Sequence, residues 1–292
     1  MRTMFNLLIS LMIASQLALP LSGIVLAASI LNDNYPKRKI TDSFEPILES
    51  EAAFVLDMKT GKVLFQKNGY QPRPLASITK LLTAIVFIEQ GPNWNDNVTI
   101  TQDDKANGGV VVLKPGEVVN LRDLFRTSLI ASANNAADGL ARSTALNYDE
   151  FIIRMNEKAK ELGMEASIFF EPTGIDARNS ATAEDVAHLL RAALSDSLIR
   201  ETLLSESYEF KTITGQRHKV KNTNKLLQSY LNIEGGKTGY IDEAGYCLAN
   251  LVKSENAPEG IAVVILGSST QEQRFQENKF LSQWVFDNWI WW

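Results

Sequence analysis

The chain has little with which to do metal, thiol or histidine chemistry. Its 292 residues include one cysteine and two histidines. A lone cysteine makes no intramolecular disulfide. Cys247 stands in "GYCLANLV", an apolar strand pattern that reads as core packing, not as a nucleophile. His188 falls in "EDVAHLLRAAL", a helix pattern that packs or solvates it. His218, between Arg217 and Lys219, reads as a surface residue of a strand or hairpin. No H-E-x-x-H, C-x-x-C or G-x-S-x-G occurs, so zinc hydrolysis and the α/β-hydrolase elbow have no support. Basic excess is missing too. A formal charge of −5 and a pI near 5.3 imply no basic face, so no nucleic-acid partner is expected. Internal repeats and low-complexity segments are absent.

Charge is nearly absent from residues 1–28, where Arg2 is alone and "FNLLISLMIASQLALPLSGIVLAA" follows. The stretch reads as a signal peptide, with small residues at Ala27 and Ala28 where a signal peptidase would cut. The run is long for a signal, so an uncleaved N-terminal anchor is the alternative. Pro20 and the Ala-rich end favour cleavage. Either way the expected location is exported, in a periplasm or on the outer face of the cytoplasmic membrane. Residues 29–47 read as a polar tether, and 48–292 as a single catalytic domain with no β-rich domain after it.

The remaining composition, 45% apolar and 22% charged, is that of a folded globular protein. "AAFVLDMKTGKVLFQKN" gives two β-rich runs around Thr60-Gly61, a hairpin signal. From Ser77, apolar residues at Ile78, Leu81, Leu82, Ile85 and Val86 trace a helical stripe. The middle is helical: "LRDLFRTSLIASANNAADGLARSTA", "YDEFIIRMNEKAKELGM" and "TAEDVAHLLRAALSDSL". After about residue 206 strands return in "SYEFKTI", "IEGGKTGY", "GYCLANLVK" and "GIAVVILG", and a last helix covers about 271 to 290. The economical architecture is α+β: an antiparallel sheet built from both chain ends, flanked by helices, with an inserted helical region.

"SITK" puts Ser77 and Lys80 three apart on one helix face. The bland reading is a helix cap and a solvated lysine. The other is a nucleophile and its base, since a serine hydroxyl needs one and no suitable histidine exists. A lysine serves only if its pKa, about 10.4 when free, is depressed. Burial, a second cation or the positive helix end would do that. "EGGKTGY" offers the cation as Lys237, with Gly235 and Gly236 letting a peptide approach a strand edge. Thr238 supplies a hydroxyl for a substrate carboxylate. "ASANNAAD" places Ser132 and Asn134 at a junction of helical segments, to relay a proton and to hold an amide. S-x-x-K occurs once, whereas K-T-G recurs at Lys59–Gly61 and S-x-N at Ser254–Asn256. Those second copies read as ordinary turns, and order along the chain selects the others.

The ordered set SITK, SAN, KTG is the signature shared by penicillin-binding proteins and class A β-lactamases. From about residue 48 to 289 the chain resembles the low-molecular-mass penicillin-binding proteins, serine-type D-Ala-D-Ala carboxypeptidases. "LDMKTGKVLFQKN", "EPTGID", "NTNKLL" and "GGKTGYIDEAGYCLA" add to the resemblance. It implies a β-lactamase/D,D-peptidase-like fold and an acyl-enzyme on Ser77 with Lys80 as general base. Ser132, Asn134 and Lys237 complete the catalytic network, and Thr238, Gly239 and Tyr240 bind substrate. The N–H groups of Ser77 and Tyr240 would form the oxyanion hole. Arg274 matches an arginine that assists recognition of the terminal carboxylate; alone it would read as a solvated helix charge. Neither metal nor organic cofactor is implied. Peptidoglycan stem peptides are the implied substrates, and β-lactam antibiotics the covalent inhibitors.

Three departures stand out. Ala133 fills the middle of S-x-N, Tyr240 follows K-T-G where several relatives carry His, and the chain stops after its last helix. The alternative activity is a D,D-endopeptidase of peptidoglycan crosslinks. A class A β-lactamase would need E-x-x-L-N between the second and third motifs. The nearest pattern, "QSYLN" at 228–232, has Gln228, so rapid penicillin hydrolysis is not expected. A non-catalytic wall-binding protein would have lost Ser77, Lys80 or Lys237. The terminal "WVFDNWIWW" reads either as a weak membrane contact or as Trp284 and Val285 packing the helix on the sheet. Its lack of Lys and Arg favours packing.

Overall fold

A computed structural model describes residues 35–40, 43–104 and 109–292. The leader expected at 1–28 lies outside them. Five strands form the main sheet: β1 (Ala52–Asp57), β2 (Val63–Lys67), β3 (Asn232–Ile241), β4 (Gly245–Ser254) and β5 (Ala257–Ser268). Their order is β3-β4-β5-β1-β2, antiparallel throughout. The two chain ends meet where β5 pairs with β1, with Val263 opposite Val55. This is the sheet expected from the pattern of strands at both ends.

All six residues of β1 are buried, which explains why "AAFVLD" shows no polar alternation. Both faces of the sheet are covered. Ala52, Phe54 and Leu56 join Ala262, Val264 and Leu266 on the face toward the helical block. Ala53, Val55, Val263 and Ile265 pack with Phe275, Leu281, Trp284 and Val285 of the last helix, α7 (Gln271–Asn288). Cys247 is fully buried among the first group, as core packing requires.

The helical block holds α1 (Lys80–Glu89), α2 (Leu121–Ile130), α3 (Asn134–Arg142), α4 (Tyr148–Glu161), α5 (Ala183–Ser195) and α6 (Ser197–Leu204). "TAEDVAHLLRAALSDSL" suggested one helix, but two form. The Asp196 carboxylate accepts from the N–H groups of Leu198 and Ile199, capping a fresh helix and ending α5. Likewise "SYEFKTI" does not enter the main sheet. Ser207–Lys211 pairs with Arg217–Lys221 as a separate hairpin. His218 lies on that hairpin but turns inward, stacked on Phe210 with Nε2 2.9 Å from Glu117 Oε2.

The chain's last residues are tied down. Trp284 and Trp289 are each 8% exposed, and Trp291 donates Nε1–H to Asp57 Oδ1 at 2.7 Å. Trp289–Ile290 pairs with Lys37–Arg38 from the stretch read as tether. Trp292 alone of this cluster stays largely exposed, at 65%.

Candidate active site

Ser77 does not begin an α-helix. It sits in a 3₁₀ turn, Ala76–Thr79, and the regular helix starts at Lys80. Neither element has a side-chain cap, so the capping role open to Ser77 is not the one it plays. Ala76, just before it, holds φ at +48°, a conformation L residues adopt at a cost. Gly174 makes that possible: a Cβ there would fall 1.8 Å from Ala76 O.

Lys80 is fully buried, not solvated. Its Nζ lies 2.9 Å from Ser77 Oγ, 2.6 Å from Asn134 Oδ1 and 2.6 Å from Thr173 O. The last two atoms only accept. A neutral amine therefore gives its two N–H groups to them and turns its lone pair to the Ser77 hydroxyl. Desolvation pulls the Lys80 pKa down to about 7, while the charges of Glu171 and Asp138 push it back up. Burial, not the second cation, is what depresses it. The cation–cation effect acts on Lys237, whose pKa falls well below normal through burial, then through Lys80 and Arg274.

Lys237 comes from β3 and donates to Ser132 Oγ at 2.7 Å and to Thr238 O at 3.0 Å. Ser132 stands between α2 and α3 at φ +60°, the second strained non-glycine at this place. Thus Ser77, Lys80, Ser132, Asn134 and Lys237 converge from three separate stretches. In front of them lies a cavity of about 310 Å³, lined by Ser77, Ser132, Asn134, Thr238, Tyr240 and Arg274 among others.

Gly239 crosses the 3₁₀ turn so closely that a Cβ would meet Leu75 O at 2.7 Å and Ser77 N at 3.1 Å. Arg274 is 4% exposed, which removes the solvated reading. Its Nη1 donates to Gly239 O at 2.9 Å and Cys247 O at 3.3 Å. Burial lowers its pKa to about 10. Tyr240 is half exposed at the rim, stacked on Tyr246 and donating to Asp242 Oδ1 at 2.6 Å. Beside Thr238 the structure adds Thr223, the two hydroxyl oxygens 2.6 Å apart. Sequence reasoning passed over Thr223, although it sits in "NTNKLL". It also passed over Glu171 of "EPTGID", which orders the loop carrying Thr173 O. The second K-T-G and S-x-N copies are turns: Asp57 Oδ2 accepts from Thr60 N, and Ser254 Oγ from Ala257 N.

A buried lysine beside a serine hydroxyl, with a second buried lysine close by and an open cavity in front, is the apparatus of a serine acyl-transfer enzyme. Residues 39–270 match the family model described as D-alanyl-D-alanine carboxypeptidase, and the chain belongs to that family. The carboxypeptidase DacF of Bacillus subtilis is 33% identical over 240 residues, covering 80% of this chain and 61% of the relative. A D-alanyl-D-alanine endopeptidase of Escherichia coli is 31% identical over 250 residues, covering 84% and 80%. Among solved structures, a Streptomyces DD-transpeptidase superposes with TM-score 0.78 at 27% identity, over 84% of this chain and 100% of that one.

Proposed function

We propose that the chain is a serine-type D-alanyl-D-alanine carboxypeptidase acting on peptidoglycan stem peptides through an acyl-enzyme on Ser77. The observation that carries this is Lys80, whose two N–H acceptors leave its lone pair facing Ser77 Oγ at 2.9 Å. Lys80 takes the Ser77 proton as Oγ bonds to the penultimate D-Ala carbonyl carbon. The Ser77 and Tyr240 N–H groups receive the oxyanion. Ser132, held by Lys237, gives its hydroxyl proton to the leaving amine and takes the Lys80 proton in its place, so the terminal D-amino acid departs. Water then attacks the ester carbonyl, losing one proton to Lys80, which passes it to Ser77 Oγ as the ester bond breaks. Arg274 and the Thr238 hydroxyl favour a substrate with a terminal carboxylate. β-Lactams acylate Ser77 as mimics of the same carbonyl.

Relatives named carboxypeptidase and relatives named endopeptidase both match, so hydrolysis of D,D-crosslinks is the second reading. A β-lactamase is disfavoured: Gln228 of "QSYLN" is spent on Glu206 at 2.7 Å. Export follows from the apolar leader-like stretch. Among the described residues no helix is long and apolar enough to cross a membrane. Membrane contact at the C-terminal end would fall to the exposed Trp292.

Intact-mass spectrometry with benzylpenicillin over time, with Ser77→Ala as control, tests the reading. A long-lived adduct lost in the variant supports it. Rapid drug hydrolysis favours a β-lactamase, and no adduct overturns the Ser77–Lys80 mechanism. Digestion of pentapeptide against crosslinked dimer separates the two peptidase activities.

A further inference from the structure

Five donors give hydrogen bonds to the Glu171 carboxylate. The N–H and hydroxyl of Thr173 give to Oε2 at 2.7 and 2.5 Å. The Gly174 N–H, the Asn179 side-chain amide at 2.8 Å and, more weakly, the Asp176 N–H at 3.5 Å give to Oε1. Hydrogen bonds clasp the loop folded around this hub to the nucleophile's elements, and the Asn179 amide adds one to Thr79 Oγ1 at 3.4 Å. Thr83 Oγ1 donates to Pro172 O at 2.6 Å, Lys80 Nζ to Thr173 O at 2.6 Å, and Leu75 N to Asn179 O at 3.0 Å.

We propose that Glu171 is a positioning residue for the general base. It does not line the cavity in front of Ser77; it folds the 171–179 loop so that the Thr173 carbonyl takes one Nζ proton and aims the amine's lone pair at Ser77. With both oxygens occupied by donors, it is not itself a base for water. The inference rests on Lys80 acting as base.

A carboxylate is required because an amide would turn an NH₂ group onto donors. The same charge favours the ammonium form of Lys80. Other charged and titratable groups face this place: Lys237 from β3, Asp138 and Arg142 from α3, Tyr148 from α4, and Asp103 and Asp104 from the preceding loop. Asp138 is pushed up to about 7 by burial and then by Glu171. It therefore ionises more readily once Glu171 is neutral and restores part of the lost charge.

The test is stopped-flow acylation by a fluorescent penicillin from about pH 5 to about pH 9, on active-site-titrated protein. Glu171→Gln is expected to lower the plateau rate about tenfold or more with the apparent Kd unchanged. Its acid limb should move down by about one pH unit, the effect of one lost charge nearby. Glu171→Asp keeps the charge on a shorter arm, so its limb should stay and its plateau fall. A Glu171→Gln variant that keeps the wild-type plateau overturns the proposal, and so does a lowered plateau that Glu171→Asp does not share. If that variant does not fold, a wild-type plateau in Glu171→Asp overturns it. A wild type that is not acylated sinks the underlying Ser77–Lys80 reading, and this is seen before any variant is compared.

Discussion

Gly239→Ala is the sharpest perturbation the site offers, because it adds one carbon and no charge. Gly239 is not among the positive-φ residues, so alanine's backbone preference is satisfied. Its new Cβ, however, would lie 2.7 Å from Leu75 O, 3.0 Å from Ala76 Cβ and 3.1 Å from Ser77 N. Carbon–oxygen contacts settle near 3.3 Å, so β3 must retreat from the turn by about half an ångström. That retreat carries Tyr240 N–H, the second donor of the proposed oxyanion hole, away from Ser77. Losing a donor outright costs about 10²–10³ in rate, and a 1 Å misplacement about 10². A partial shift should therefore slow acylation by about 10- to 100-fold, or about 1.4–2.7 kcal/mol. Overpacking should cost about 1–3 kcal/mol of stability. The assay is penicillin acylation at saturating drug, corrected for active fraction, with thermal unfolding alongside. Gly116→Ala is the control: φ is +91° and nothing lies within 4 Å. It should lose about 1–2 kcal/mol of stability and no acylation rate. A folded Gly239→Ala that acylates at the wild-type rate would refute the placement of β3 against the turn.

Two further substitutions read the charges. Lys80→Met should abolish acylation and also change how stability depends on pH. The buried amine titrates near 7 against a usual 10.5, so between those values the unfolded chain holds more protons than the folded one. Wild-type stability then rises with pH across that window, and the penalty of burying the charge is full below it. From about pH 7 to about pH 10 the balance should move toward the wild type by about 2–4 kcal/mol in urea titrations; a flat difference refutes the depressed pKa. Arg274→Gln should lower kcat/KM for a peptide ending in a free carboxylate by about 10- to 100-fold, mainly through KM. An unchanged KM in steady-state assays removes Arg274 from recognition.

The parts of the site legible in the sequence are those that one short stretch fixes. Ser77 and Lys80 are a turn apart, so spacing alone put them together. Ser132–Asn134 and Lys237–Tyr240 are equally local, and their order distinguished them from the copies at 59–61 and 254–256. The sheet was legible because strand patterns occupied both ends of the chain. What stayed hidden depends on tertiary approach. Glu171 looks like any loop carboxylate until five donors close around it. Thr223 has meaning only beside Thr238. The source of the Lys80 shift stayed open among burial, a second cation and the helix end, because the number of atoms covering an amine is not written in its neighbours along the chain. The break at Asp196 was missed because a capping aspartate and a mid-helix one have the same letter.

The pairing of β1 with β5 brings residues 52–57 against 261–266. Contacts at such separation form late and slowly, since a long loop must close before they reward the chain. Lys237 and Gly239 reach Ser77 only from strands that hang on the same closure. During synthesis, then, a chain that has already made its serine and lysine holds them in an unfinished fold, without a cleft or an oxyanion hole. Catalytic power would then wait on the docking of the final strands, the step that brings Lys237 and Gly239 to the serine.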